Sequence, residues 1–116
     1  MKDPRIAKLA DILIGYSTKV QPGEKVLLEA FDIPDEVATA VVDRIAEAGG
    51  LPFVSIKRNK VLRALYQNAS EEQMRITGEI EQARMAQMNA YIGIRGADNS
   101  AELSDVPDER MKLYRS

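Results

Sequence analysis

Charged side chains follow each of three apolar segments, and their types suit the binding of a polar ligand. These side chains are Asp32 after the first segment, Lys57 and Arg58 after the second, and Arg95 and Asp98 after the third. If the segments are parallel strands, their carboxyl ends lie at one edge of the sheet, where open α/β sheets bind ligands. We call these five residues the strand-end rim. Strand ends also meet solvent, where charge is expected, so a binding surface and a solvated edge both remain open.

The composition excludes most catalytic sites. The sequence has no histidine and no cysteine, so the commonest general base, the commonest metal ligand and any thiolate are missing. Carboxylates alone could bind Mg²⁺ or Ca²⁺. The closest acidic cluster, residues 105–109, lacks the spacing of a known loop and falls in a predicted turn. The sequence therefore predicts no catalytic residue, no metal ligand and no cofactor in this chain.

Phosphate and nucleic-acid sites are also disfavoured. Residues 30–34, which follow the first apolar segment, contain no glycine, so a dinucleotide-binding turn is absent. There are 16 basic and 18 acidic residues, giving a net charge of −2. Binding along a nucleic-acid backbone needs a basic surface. The basic run 57–60 near Tyr66 is therefore interpreted as a solvated loop, and no nucleic-acid partner is predicted.

The chain alternates helical and strand patterns. Strands are predicted at 25–31, 53–56 and 90–94. The predicted helices run from an Asp3 cap towards Val20, from Pro34 to Gly49, from 61 to 68, and from a Ser70–Gln73 capping box to about 88. We predict one α/β domain with three αβα layers. Its small, mostly parallel sheet has about three strands, in the order 2-1-3.

The stretch before the first strand predicts a tight turn leading into the centre of the sheet. Pro22 and Gly23 suit the second and third positions of a type II turn. The continuous apolar run 26–28 indicates a strand covered on both faces, as in a parallel sheet with helices on each side. The strand that contains Val26 is therefore predicted to be the central one.

The bulk properties indicate an ordinary globular protein. The 116 residues are 45% hydrophobic and 29% charged, which is typical of one folded domain. No apolar run is long enough to span a membrane, and the N-terminus has no apolar signal region. We predict a cytoplasmic location and no membrane partner. The small sheet and a helical pattern that begins near 111 suggest a piece of a larger protein.

Seven separated segments together resemble one family. They are residues 3–10, 16–17, 20–27, 48–52, 69–73, 98–103 and 107–110. In this order and spacing they resemble the N-terminal domain of the M29 metallo-aminopeptidases, the thermophilic aminopeptidase T group. The resemblance covers essentially the whole chain.

The resemblance implies a larger, dimeric enzyme that removes N-terminal residues from peptides. In that family two divalent metals, zinc or cobalt, are held by histidines and carboxylates of a C-terminal catalytic domain. No such ligand set exists in residues 1–116, so no catalytic residue is carried over. The implied partners are that catalytic domain and a second subunit.

Two functions follow from these observations. The first is a non-catalytic N-terminal domain of a metallo-aminopeptidase, inactive when isolated. The second is a stand-alone α/β module that binds a ligand or a protein through the strand-end rim. Whether this chain is itself an enzyme stays open at this point. The first hypothesis requires a histidine-containing domain elsewhere in the parent protein, and the second does not.

Overall fold

The computed structural model describes residues 3–96. Its elements are α1 (Pro4–Ile12), a π-helical turn (Leu13–Ser17), β1 (Lys25–Phe31), α2 (Asp35–Glu47), β2 (Leu51–Lys57), α3 (Asn59–Asn68), α4 (Glu71–Ala86) and β3 (Ala90–Arg95). Asp98, the acidic cluster 105–109 and the helical pattern near 111 lie outside the described residues.

The three strands form one parallel sheet in the order β2-β1-β3. The predicted fold class, the strand order and the central place of the Val26 strand are all confirmed. Every residue of β1 after Lys25 is buried, as expected for a strand between two layers of helices. The apolar run at residues 26–28 therefore correctly predicted which strand lies between the other two.

The two faces of the sheet differ in how they are covered. The first face carries Val26 and Leu28, which belong to the main hydrophobic core with α1 and α2. That core also contains Ala10, Leu13, Ile14, Val20, Ala38, Val41, Ile45, Ile92 and Ile94. The second face carries Leu27, Glu29 and Phe31, and it lies beneath α4. Leu27, Glu29 and Phe31 are all buried, although α3 and α4 contain no fully buried residue.

Local sequence signals explain where several elements begin. The Asp3 side chain accepts the Arg5 N–H, and Pro4 opens α1. The hydrogen bond from the Arg5 side chain, followed by that from its backbone, lowers the pKa of the Asp3 carboxyl. Ser70 and Gln73 form the predicted reciprocal capping box of α4. These contacts join near neighbours in the chain, so residue types at fixed spacing suffice to predict them.

The turn before β1 also has the predicted geometry. Gly23 has a φ of +83°, and the Glu24 N–H donates to the Gln21 carbonyl at 3.1 Å. One boundary was predicted wrongly by a residue. Pro34 is the N-cap of α2 and not its first helical residue. With a ψ of 145° it stays extended, while its carbonyl accepts the Val37 N–H.

Candidate functional site

Asp32 joins the carboxyl ends of β1 and β2 to the start of α3. Its backbone N–H donates to the Lys57 carbonyl at 3.1 Å. Its carboxylate accepts the N–H of Asn59, with oxygen–nitrogen distances of 3.2 and 3.4 Å. Asn59 is the first residue of α3, and a negative charge there is favoured by the helix dipole. Asp32 adopts a φ of +55° to make these contacts, a conformation that Asp and Asn tolerate better than most residues.

Replacing Asp32 with alanine is expected to destabilise the domain by about 2 kcal/mol, through the lost hydrogen bond and the positive φ. Asp32→Asn keeps an acceptor oxygen and tolerates the same backbone conformation, so we expect it to lose less than half as much. Urea denaturation followed by circular dichroism measures both. Equal losses for the two variants would contradict this role for the side-chain oxygen.

A fully buried acid, Glu29, lies at the centre of β1 on the second face of the sheet. The Tyr91 hydroxyl of β3 donates to its Oε1 at 2.5 Å. The Lys57 ammonium of β2 lies 2.5 Å from its Oε2. Burial of an unpaired carboxylate is very unfavourable, so these partners from both neighbouring strands are what allow an acid at this position.

Two residues of α4 extend this network. Arg84 Nη2 lies 2.5 Å from Glu81 Oε1 and 3.8 Å from Glu29 Oε2. Glu81 Oε2 in turn lies 3.9 Å from the Lys57 ammonium. We call these five residues, Glu29, Lys57, Tyr91, Arg84 and Glu81, the Glu29 cluster. It contains two carboxylates and two cations, so its formal charges balance while it links α4 to all three strands.

The Phe31 side chain lies between Lys57, which belongs to the Glu29 cluster and to the rim, and Arg95 of the rim. The Phe31 ring, which ends β1, lies 5.9 Å from the Lys57 ammonium and 5.1 Å from the Arg95 guanidinium. Both distances allow a favourable interaction between a cation and the face of the ring. Arg95 Nε is buried and makes no hydrogen bond within residues 3–96. The guanidinium of Arg95 is thus held by the ring and keeps an unused donor.

The structure brings only part of the predicted strand-end rim together. Asp32 and Lys57 meet through their backbones, but the Lys57 side chain turns inward to Glu29. Arg58 is exposed at the start of α3 and Arg95 lies over Phe31. Of the rim cations, Arg58 is therefore exposed and Arg95 is half-buried, while Asp98 lies outside the described residues.

Sequence reasoning missed the acid at the centre of the sheet. Glu29 interrupts the run of apolar residues in β1, and an acid within a strand predicted to be buried on both faces requires a buried partner. The sequence therefore allowed the prediction that Glu29 has a buried partner. It did not allow the partners to be identified, because Lys57, Arg84 and Tyr91 lie between 28 and 62 positions further along the chain.

Both carboxylate oxygens of Glu29 are engaged, Oε1 by the Tyr91 hydroxyl and Oε2 by the Lys57 ammonium. Among residues 3–96 no group of three His, Cys, Asp or Glu side chains is arranged to hold a metal.

A second concave feature lies elsewhere, between α1 and α2. This groove has a volume of about 530 Å³ and is lined largely by acids, including Asp3, Asp35 and Asp43. Arg44 crosses it to Asp11, with a nitrogen–oxygen distance of 2.8 Å. The groove is lined only by Asp3 and residues of α1 and α2, the helices that pack on the first face, whereas the Glu29 cluster lies on the second face. Nothing in its lining connects it with the rim.

Comparison with known proteins identifies the family. The sequence model described as "Thermophilic metalloprotease (M29)" matches residues 2–116. This chain belongs to the M29 family. Comparison with curated proteins found no match.

A solved structure has a similar architecture. The structure "Wild-type AmpT from Thermus thermophilus" superposes with a TM-score of 0.63 at 19% sequence identity. The match covers 95% of this chain but only 29% of the AmpT chain. At this identity the likeness concerns the fold. This M29 chain therefore corresponds to less than a third of a longer protein of similar fold. None of the helices between residues 3 and 96 is long and apolar enough to cross a bilayer.

Proposed function

We propose that this M29 chain is the non-catalytic N-terminal domain of a metal-dependent aminopeptidase, which releases N-terminal residues from peptides. The observation that carries the proposal is the family match over residues 2–116, combined with a sequence that contains no histidine and no cysteine. A metallopeptidase of this family needs ligands for its metals, and residues outside this chain would supply them. The metals, zinc or cobalt, would activate a water molecule and polarise the scissile carbonyl.

The partner of this domain is, in our proposal, the catalytic domain of the same protein. Two arginines of the rim, the exposed Arg58 and the half-buried Arg95, would face that domain at the carboxyl edge of the sheet. Support comes from Arg95, whose guanidinium is held over Phe31 with a buried Nε that makes no hydrogen bond within residues 3–96. A carboxylate of the partner domain would pair with the accessible part of this half-buried guanidinium. The parent enzyme is proposed to be cytoplasmic, to form a homodimer and not to bind nucleic acid.

The test compares the 116-residue chain with the product of its complete reading frame. Each is incubated with an aminoacyl-4-nitroanilide, with zinc or cobalt added and with a chelator as the control. We expect metal-dependent hydrolysis by the longer product and none by the 116-residue chain. Hydrolysis by the 116-residue chain that the chelator abolishes would overturn the non-catalytic role.

The alternative function, a stand-alone binding module, predicts a different reading frame. A stop codon directly after Ser116 would favour it, since the chain would then lack any catalytic domain. A frame that continues into a histidine-containing region favours the aminopeptidase. The exposed Arg58 and the ring-held Arg95 are the residues through which such a module would bind its partner.

A further inference from the structure

The strand β2 and the helix α3 that follows it expose most of the large apolar side chains of this domain. Eleven such side chains are exposed between residues 3 and 96, and seven of them lie between 51 and 66. Four belong to β2 and three to α3. We call the exposed apolar side chains of residues 51–66 the β2–α3 surface. Single exposed apolar residues are ordinary, but their concentration in two consecutive elements marks a contact surface.

The apolar residues of α3 are not part of the core. Val61, Leu65 and Tyr66 recur at helical spacing, so they lie on one side of α3. Val61 is 63% exposed and Tyr66 is 55% exposed. No residue of α3 is fully buried. This side of the helix therefore contributes little to the fold of residues 3–96 and is available to another surface.

The same part of the chain is basic. Residues 51–70 contain four cations and no acid, although the whole chain has a net charge of −2. Lys57 turns inward to Glu29, whereas Arg58, Lys60 and Arg63 are exposed and form no ion pair within residues 3–96. Arg58 and Lys60 lie at the N-terminal end of α3, where the helix dipole disfavours cations. Carboxylates from a partner would offset this positive charge.

We propose that the parent chain beyond Ser116 packs on the β2–α3 surface, with apolar side chains at the centre of the contact and carboxylates opposite Arg58, Lys60 and Arg63. The inference rests on the proposed function, in which this chain is one domain of a longer enzyme. It extends the contact proposed for the rim, because Arg58 belongs to both surfaces.

The length of the missing chain supports this occupant. The match covers 29% of the AmpT chain, so more than two-thirds of a protein of that length lies outside the matched part. A covalently linked domain is present at an effective concentration that is roughly millimolar. It therefore occupies even a modest apolar surface that a free partner at low concentration would leave open.

The charge of the surface disfavours a second copy of this chain. In a twofold contact the same patch meets itself, so the exposed cations of one copy would face those of the other. No acid within residues 51–70 is present to pair with them. Contact with a different part of another copy would be head-to-tail and would produce rings or filaments. A tethered, carboxylate-bearing domain has neither disadvantage.

The test is photo-cross-linking in the product of the complete reading frame, with p-benzoylphenylalanine in place of Tyr66. Isotope-labelled and unlabelled chains are mixed, unfolded and refolded before irradiation, so a cross-link within one chain joins peptides of the same label. We expect same-label cross-links between position 66 and residues beyond 116. The same photoreactive residue at Ile12 is the matched control, because Ile12 is 43% exposed but lies on α1. It should give no such cross-links.

The other occupants give different products. Cross-links that join two labels would show a second copy, and cross-links to residues 97–116 would show that the end of this chain covers α3. Either result, no cross-link at all, or equal cross-linking from position 12 would overturn the inference. Aminopeptidase activity of the unmodified product is measured separately. An active enzyme without the expected cross-links contradicts only this contact, whereas a stop codon directly after Ser116 contradicts the proposed function as well.

A charge reversal tests the predicted carboxylates. Arg63→Glu in the cross-linking protein should lower the yield of same-label cross-links about twofold or more, the change that a modest ion pair at the edge of a contact supports. Lys8→Glu on α1 is the matched control and should leave the yield unchanged. Both side chains are exposed, so circular dichroism should show the same fold for both variants. Equal yields in the two variants would contradict carboxylates opposite α3.

Discussion

Replacing Lys57 with methionine is expected to destabilise the domain by about 3 kcal/mol, the low end of the range for breaking a buried ion pair. The change leaves the fully buried Glu29 carboxylate without the ammonium that lies 2.5 Å away. The low end applies because the Lys57 side chain is 23% exposed. Methionine keeps most of the stem, so lost packing is a small part of the effect. Urea denaturation monitored by circular dichroism measures the free energy of unfolding.

Lys60→Met in α3 is the matched control. Lys60 is exposed and forms no ion pair within residues 3–96, so its replacement should change stability by no more than about 0.5 kcal/mol. The double variant Lys57→Met/Glu29→Gln should be more stable than Lys57→Met alone, because the buried charge is then removed and the Tyr91 hydroxyl still has an acceptor. If the double variant is the less stable of the two, the buried carboxylate is not the cause.

Replacing Gly96 with alanine is expected to cost about 3 kcal/mol, the upper end of the range for overpacking. A Cβ at Gly96 would meet the Asp32 carbonyl oxygen and would lie 3.2 Å from Ile33 Cγ2. The obstacle is backbone, which cannot rotate aside as a side chain could. Because the Gly96 N–H also bonds to the Phe31 carbonyl at 2.8 Å, we expect faster amide exchange at the carboxyl ends of β1 and β3. Urea denaturation and hydrogen exchange measure these two effects.

Replacing Gly78, the glycine of α4, with alanine is expected to have the opposite effect on stability. A Cβ at Gly78 would meet nothing within 4 Å, and alanine is a better helix former than glycine by about 1 kcal/mol. Gly78→Ala should therefore stabilise the domain or leave it unchanged. A similar loss of stability in both alanine variants would show that the close approach at Asp32 is not what makes Gly96 necessary.

The strand-end rim shows where prediction from the sequence succeeded and where it failed. Because the strands are parallel, their carboxyl ends with Asp32, Lys57, Arg58 and Arg95 lie at one edge of the sheet, while Asp98 lies outside the described residues. The direction of each side chain was not predictable. Lys57 was expected at the solvent edge, but the buried carboxylate of Glu29 attracts its ammonium inward. A single charge on a neighbouring strand thus decided which rim residues stay exposed.

The sequence by itself determined the features that depend on neighbours along the chain. The turn at Pro22–Gly23, the capping box at Ser70 and the buried central strand all follow from residue types at short spacing, and each appears as predicted. Only the tertiary structure decided the Glu29 cluster and the close approach of Gly96 to Asp32. Both depend on which distant residues become neighbours, because the free energy of a buried charge or of a tight contact depends on those neighbours.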